Sequence, residues 1–183
     1  MKILLATPSL LPEVGGPAYS VSSIQSFLEQ AGMETRAFTQ RAKGGSSLPL
    51  FGNSDVFDGV DLAHIFGIWT PFGHRMASKA RVAKIPYVIS PMGMLEPWSL
   101  AQKRLKKKLG LSLYQRRDIE CSAAIHATAV SEAENLRALG IKAPIAVIPH
   151  GIDVPLDLPA RHLSEQKSSE RTFLFLSRIH PKK

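Results

Sequence analysis

The chain has 183 residues, of which 44% are hydrophobic and 21% charged, with a formal net charge of +8 and one cysteine. This composition is typical of a globular domain, and a single cysteine excludes an intrachain disulfide and a cysteine-based metal cluster. Every apolar run is shorter than the roughly 18–20 residues that span a bilayer. The run before Pro8 is also too short for a signal peptide, so we expect a cytoplasmic protein.

The N-terminal segment predicts a strand, a glycine turn and a helix. Residues 1–8 form an apolar run, residues 9–16 a turn, and residues 17–31 carry apolar side chains at helical spacing. Gly15 and Gly16 stand just before the helix, where unpaired N–H groups and the helix dipole favour an anion. They are candidates for a phosphate or sugar site. The alternative is a glycine turn that only permits tight packing.

Strands and helices then alternate along the chain. In chain order the pattern next predicts a strand at 34–39, a loop at 40–60 with a short strand at 48–51, a strand at 61–67, a helix at 71–84 and a strand at 85–90. After these come a helical region at 96–123 broken at Gly110, a strand at 124–128, a helix capped by Ser131 and Glu134 that ends at Gly140, and a strand at 143–148. The alternation predicts a Rossmann-like, mainly parallel sheet with helices on both faces. Ligands of such sheets bind beside the carboxyl ends of the strands.

The composition changes after the last of these strands. Residues 154–170 are rich in Pro, Ser, Lys, Glu and Gln and are predicted to be a linker after a first domain at 1–153. Residues 172–176 form an apolar run that predicts a buried strand, and a basic turn follows it. We therefore expect 171–183 to be the start of a second α/β domain, and the chain to be truncated.

The positive charge is concentrated in one stretch. Residues 101–117 contain seven cations and no acid. Five of the cations surround Leu105 and Leu109 on a predicted helix: Lys103, Arg104, Lys106, Lys107 and Lys108. This surface is interpreted as a solvated helix face, as a contact with an anionic membrane, or as a nucleic-acid contact. The third is the weakest, because Tyr114 is the only interleaved aromatic residue.

Other candidate residues are less specific. The six histidines show neither the i, i+4 spacing of a helical metal site nor an accompanying carboxylate, so we expect no metal. His126 is placed near the predicted site, and structural and functional roles are both open for it. Trp69 and Trp98 could stack on a sugar ring or pack in the interior. No G-x-G-x-x-G motif follows the first strand, which argues against dinucleotide binding.

Six segments together resemble the retaining glycosyltransferases of family 4, which have the two-domain GT-B fold. In chain order they read PEVGGPA, DLAHIFG, PMGMLEPW, ATAVSEAE, VIPHGID and FLFLSRIHPKK. The resemblance implies that this chain is the acceptor-binding N-terminal domain with the first strand of the nucleotide-sugar-binding domain. It also implies a sugar transferase that takes a nucleotide diphosphate sugar as co-substrate, without a metal. A polysaccharide or lipid-linked acceptor, with peripheral contact at the inner face of the membrane, would fit the basic stretch.

The resemblance assigns roles residue by residue. The donor phosphates would lie near Gly15, Gly16, Arg178 and Lys183, and the acceptor near Trp69, Met92, Gly93, Met94, His126 and Ser131. Met92 stands where the family often has histidine or arginine. The family's pair of glutamates seven residues apart is not in this sequence, so we expect the chain to be inactive alone. The alternative to an enzyme is a non-catalytic sugar- or membrane-binding α/β module.

Overall fold

The computed structural model describes residues 1–11, 16–41, 56–151 and 173–175. The chain divides into a compact unit, Met1–His150, and a second unit, Gly151–Lys183. The elements of the first unit are, in chain order, β1 (Lys2–Ser9), α1 (Gly16–Gln30), β2 (Glu34–Arg41), β3 (Leu62–Phe66), α2 (Pro71–Val82), β4 (Tyr87–Ser90), α3 (Pro97–Ala101), α4 (Arg104–Gly110), α5 (Arg116–Glu120), β5 (Ala124–Ala127), α6 (Val130–Ala138) and β6 (Ile145–Val147). A π-helical segment, Leu111–Gln115, joins α4 to α5.

The described strands form one sheet in the order β2-β1-β3-β4-β5-β6. Every neighbouring pair is parallel; Ala6 of β1, for example, lies opposite Phe38 of β2 and Ile65 of β3. The predicted Rossmann-like α/β fold is therefore confirmed. The predicted short strand at 48–51 lies outside the described residues.

Alternate strand residues build two apolar layers, one on each face of the sheet. On one face Ile3, Leu5 and Phe66 pack with Val21 of α1. The larger layer, on the opposite face, joins the sheet to α2, α5 and α6, and includes Ile65, Ile89, Ile125, Met76, Ile119 and Leu136. The two layers explain why these strands read as continuous apolar runs, since a parallel sheet is covered on both faces.

The strand order reverses beside β1. The chain passes from β1 outward to β2, and then returns to add β3 and later strands on the other side of β1. At such a reversal the loops after the two central strands separate and leave a crevice at the carboxyl edge of the sheet. By this rule a crevice is expected here between the ends of β1, at Ser9, and β3, at Phe66.

The helical region after β4 differs from its prediction. The helix passes through Gly110, whose φ and ψ are −60° and −37°. The interruption falls at Gln102, which is extended, and Lys103, whose φ is +53°. A Cβ at Gly110 would lie 3.6 Å from the Tyr114 ring and 3.7 Å from the Trp69 ring. A Cβ at this position would therefore make only ordinary van der Waals contact with the two rings. The backbone stays helical at Gly110, where the α-helix passes into the π-helical segment, so the predicted break of the helix is wrong.

Little of the second unit is described. Phe173, Leu174 and Phe175 are 93%, 85% and 79% exposed and carry no regular secondary structure. The prediction of a buried strand at 172–176 is therefore wrong for these three residues. An apolar run forms a buried strand only where a neighbouring strand pairs with its backbone, and no pairing involves these three residues. The domain limits at 153 and 171 stay predictions.

Asp118 connects two helices to the sheet beneath them. This residue of α5 is 1% exposed, and its Oδ2 accepts a hydrogen bond from His74 Nδ1 of α2 at 2.8 Å. Arg81 Nη1 of α2 lies 2.8 Å from Oδ1 and donates to the Tyr87 hydroxyl at 3.0 Å. Oδ1 of Asp118 therefore forms an ion pair with Arg81 but accepts no well-aligned hydrogen bond. Tyr87 of β4 in turn donates to the Asp118 backbone carbonyl at 2.7 Å.

Candidate functional site

The candidate site is the carboxyl edge of the sheet, where the loops after β3, β4 and β5 leave on the same side. Trp69 follows β3, Met92, Gly93 and Met94 follow β4, and His126 lies in β5. Gly16 begins α1, and only its backbone is described. Gly15, Arg178 and Lys183 lie outside the described residues, so the donor-side assignments stay predictions.

The loop after β3 is fixed by the loop after β4. Trp69 has a left-handed backbone, with φ of +69°. Its backbone N–H donates to Gln115 Oε1 at 2.9 Å, and its indole Nε1–H donates to the Met94 carbonyl at 3.2 Å. Trp69 also packs at the edge of the larger apolar layer. The structure thus brings together two predicted acceptor residues, Trp69 and Met94. The indole N–H of Trp69 is already used in a hydrogen bond between them.

The loop after β4 turns sharply because two consecutive residues have positive φ. The values are +55° for Met92 and +74° for Gly93. A residue with a side chain at Gly93 would be strained, and its Cβ would lie 3.4 Å from Glu96 Oε1. The turn presents the backbone N–H of Gly93 to Glu132 Oε1 at 2.6 Å. This contact links the loop after β4 to the helix after β5.

Glu132 replaces the predicted cap of α6. The helix begins at Val130 after Ala129, so Ser131 is an exposed residue inside the first turn and makes no cap. The predicted capping box of Ser131 and Glu134 is therefore wrong. Glu132 Oε2 instead accepts from the backbone N–H of Thr128 at 2.8 Å and from its hydroxyl at 3.0 Å. Glu132 is 3% exposed, and sequence reasoning missed it.

Three side chains form a polar chain across β3, β4 and β5. His64 Nε2 lies 2.7 Å from Ser90 Oγ, which lies 2.8 Å from His126 Nδ1. His126 Nε2 lies 2.8 Å from the backbone carbonyl of Ile148, just after β6. A carbonyl only accepts, so His126 Nε2 carries the hydrogen. With neutral rings, Ser90 then donates to His126 Nδ1, and His64 Nε2 donates to Ser90.

Burial keeps His64 neutral. Desolvation, and then the nearby His126 and His150 rings, lower the pKa of His64 to about 3. Burial likewise lowers the pKa of His150. His64 therefore acts in the described site as a neutral hydrogen-bonding group. His126 is 6% exposed, and both of its ring nitrogens have hydrogen-bond partners within the protein. These contacts support a structural role for His126. Its predicted contact with an acceptor stays a prediction.

The His64 pKa predicts how stability changes with pH. In the unfolded chain His64 takes up a proton near pH 6.5, whereas the folded protein resists protonation down to about 3. The contribution of His64 to the free energy of unfolding is fully present above about pH 6.5 and is lost as the pH falls. Between pH 7 and pH 5 it should decrease by about 2 kcal/mol. In His64→Gln, urea unfolding at the two pH values should show a drop smaller by about that amount; equal drops in both proteins would contradict the assignment.

The predicted basic surface lies beside Trp69. Lys103, Arg104, Lys106 and Lys108 are exposed, and Lys107 is half-buried. Lys107 Nζ lies 5.7 Å from the centre of the Trp69 ring and donates to the Ser99 carbonyl and hydroxyl, the latter at 3.0 Å. The basic surface is thus continuous with the loop after β3. Its contact with a membrane stays a prediction.

The part of the chain that is described contains neither a metal-binding cluster nor a membrane-spanning helix. Among the side chains described, no group of three or more His, Cys, Asp or Glu residues is placed to hold a metal ion. No helix in the described ranges has the length and apolar content that crossing a bilayer requires.

A parallel α/β sheet whose strand order reverses beside its central strand defines a Rossmann-like domain. Residues 58–151, just over half of the chain, match the family model described as a glycosyl transferase 4-like domain. The chain therefore belongs to the glycosyl transferase 4-like family. The match covers β3 to β6 and so includes the loops described above. No curated protein matches the sequence.

Proposed function

We propose that this chain is the acceptor-binding half of a retaining GT-B glycosyltransferase. The observation that carries the proposal is the family match over the same loops that meet at the carboxyl edge of the sheet. The donor would be a nucleotide diphosphate sugar and the acceptor a hydroxyl of a cell-surface polysaccharide. Trp69, Met92, Gly93 and Met94 would line the acceptor side of the crevice.

The proposed reaction exchanges one bond at the anomeric carbon for another. The acceptor hydroxyl oxygen bonds to the anomeric carbon on the face from which the diphosphate departs. The bond from that carbon to the diphosphate oxygen breaks, and the leaving phosphate takes the hydroxyl proton. Gly15, Gly16, Arg178 and Lys183 would stabilise the departing negative charge. No side chain of this half is then required as a base, and we expect no metal.

A transfer assay tests this proposal. The full-length protein, given a panel of nucleotide diphosphate sugars and a lipid-linked saccharide acceptor, should release nucleotide diphosphate only when both substrates are present. The 183-residue chain should show no turnover in the same assay, because the resemblance places most of the donor pocket in the second domain. Turnover by this chain alone, or none by the full-length protein with any donor, would contradict the proposal.

A second candidate function is a membrane-binding module without chemistry. The observation that favours it is the stripe formed by Leu105, Leu109 and Leu113, which are 84%, 58% and 71% exposed on the helix that carries the basic surface. Exposed leucines beside lysines suit the interface of an anionic bilayer. A full-length protein that sediments with anionic vesicles but transfers no sugar would support this function over the enzyme. Sedimentation together with transfer would instead identify a peripheral membrane enzyme.

A further inference from the structure

Two of the loops at the carboxyl edge contain a residue with a large side chain and a left-handed backbone. Trp69, after β3, has φ of +69°, and Met92, after β4, has φ of +55°. This region of φ is unfavourable for residues with a bulky side chain, and such a conformation persists only where the surrounding contacts impose it. Both residues belong to the predicted acceptor side. The contacts that impose their conformation therefore also determine the shape of that side.

Gln115 fixes the loop after β3 from the π-helical segment. It is 3% exposed and is the buried residue of Leu111–Gln115. Its side-chain Oε1 accepts a hydrogen bond from the Trp69 backbone N–H at 2.9 Å, at the residue whose φ is positive. Short π-helical segments occur frequently at functional sites, and here the segment ends with the side chain that holds Trp69.

Glu132 fixes the loop after β4 from the first turn of α6. Its Oε1 accepts a hydrogen bond from the Gly93 N–H at 2.6 Å, and Gly93 directly follows Met92. Its Oε2 accepts from the backbone N–H of Thr128, which directly follows β5. The two oxygen atoms of one buried side chain therefore tie the turn after β4 to the end of the neighbouring strand.

Met94 joins the two loops to each other. Its carbonyl accepts a hydrogen bond from the indole Nε1–H of Trp69 at 3.2 Å, and its sulfur accepts from the Ile68 N–H at 3.4 Å. Its methyl group also lies beside Gly67, where a Cβ would be 3.4 Å from Met94 Cε. The backbone and the side chain of one residue after β4 thus both contact the loop after β3. A displacement of either loop would break contacts of the other.

We propose that Gln115 and Glu132 are positioning residues that hold the loops after β3 and β4 in one joint arrangement before the acceptor binds. The inference rests on the proposed function, and it deepens it by naming the two residues that shape its acceptor side. Neither residue belongs to the loop that it fixes, since Gln115 acts through Trp69 and Glu132 acts through Gly93. Loops that are ordered in advance reduce the entropy lost when a ligand binds. Loss of either residue therefore weakens acceptor binding without removing a group that takes part in the reaction.

The first test measures amide hydrogen exchange in the 183-residue chain carrying Gln115→Met or Glu132→Gln. Methionine has no oxygen to accept from Trp69, and glutamine has one acceptor oxygen where Glu132 uses two. Each variant should accelerate exchange about fivefold at its own partner, and by a similar factor at the partner of the other residue. The decisive values are the crossed ones, which are Gly93 exchange in Gln115→Met and Trp69 exchange in Glu132→Gln.

Ile3→Val is the matched control for a loss of overall stability. Ile3 is buried near the amino end of β1, opposite Leu62 at the start of β3, and so lies at the other edge of the sheet from the two loops. Removal of one buried methyl group lowers stability by an amount comparable to the loss of a hydrogen bond. Exchange at the Ile65 amide of β3 reports global unfolding in every variant. Trp69 and Gly93 should accelerate more than Ile65 in the two test variants, but not in the control.

The second test uses the transfer assay with the full-length protein and the lipid-linked saccharide acceptor. Gln115→Met and Glu132→Gln should each raise the acceptor KM about fivefold with kcat within about twofold, because a loss of uniform binding acts on KM alone. A variant that is only less stable contains fewer folded molecules, which lowers the apparent kcat and leaves KM unchanged. Ile3→Val should therefore leave the acceptor KM unchanged.

Other results overturn the inference. Acceleration confined to each variant's own partner would mean that the two loops move independently. Acceleration no greater than that of Ile65 would mean that the substitutions act only through global stability, and an unchanged acceptor KM would reject the positioning role. Crossed exchange without transfer by the full-length protein rejects the proposed function and leaves the joint arrangement of the loops established, while transfer without crossed exchange rejects only this inference.

Discussion

Replacement of Asp118 by asparagine is expected to lower the free energy of unfolding by about 3–5 kcal/mol. The carboxylate is 1% exposed and lies 2.8 Å from both Arg81 Nη1 and His74 Nδ1. Asparagine has nearly the same shape but no charge, so the guanidinium would remain mostly buried without a counter-charge. Urea unfolding monitored by circular dichroism at pH 7 would measure the loss.

Asp58 provides the control for this experiment. Its side chain is exposed, so Asp58→Asn should change the free energy of unfolding by less than about 0.5 kcal/mol. A second variant, Arg81→Met, removes the cation and leaves the carboxylate, and it should be destabilised to a similar degree as Asp118→Asn. If Asp118→Asn unfolded at the same urea concentration as the unsubstituted protein, the pair with Arg81 would contribute nothing to stability.

Replacement of Glu132 by alanine is expected to cost about 3 kcal/mol of stability. Its two oxygen atoms accept three hydrogen bonds, from the Gly93 N–H, the Thr128 N–H and the Thr128 hydroxyl. Alanine would leave these donors without the carboxylate that pairs them. Because one of the three belongs to the turn after β4, this loop should also loosen. Hydrogen exchange at the Gly93 amide should accelerate together with the loss of stability.

Glu134 lies in the same helix and serves as the comparison. Its side chain is exposed, so Glu134→Ala should leave both the unfolding curve and the Gly93 exchange rate nearly unchanged. Had Ser131 and Glu134 formed the predicted capping box, Glu134→Ala would instead be the more harmful substitution. A larger loss for Glu134→Ala than for Glu132→Ala would therefore contradict the assignment of Glu132.

The sheet could be predicted because its signals are local. Apolar runs of strand length marked β1, β3, β4, β5 and β6, whereas β2 is largely polar. The spacing of Val21, Ile24 and Leu28 marked the buried face of α1. The alternation of strands and helices was enough to predict parallel pairing. Parallel pairing in turn was enough to place the candidate site at the carboxyl edge of the sheet.

The errors arose where distant residues determine the local structure. The chain stays helical at Gly110, where the rings of Trp69 and Tyr114 lie close to the backbone, and neither contact is visible in the spacing of apolar residues. Glu132 pairs with Gly93, which is 39 positions earlier in the chain. The only signal in the sequence was a glutamate at the third position of α6. The spacing of Ser131 and Glu134 matched a capping box, and that match was preferred.

The polar chain of His64, Ser90 and His126 was missed for a related reason. Each residue belongs to a different strand, and only the parallel register brings Ser90 opposite Phe66 and Ile89 opposite Ile125. The sequence pattern put His64 and His126 in two predicted strands but contained no signal that Ser90 lies between them.

The same polar chain has a fixed direction. Its last acceptor, the Ile148 carbonyl, can only receive a hydrogen, and this orients every donor back to His64. A proton added to His64 would enter at Nδ1 and leave the sequence of donors intact. The hydrogen bonds of β3, β4 and β5 therefore all point the same way, so that turning one donor would break the bond to its neighbour.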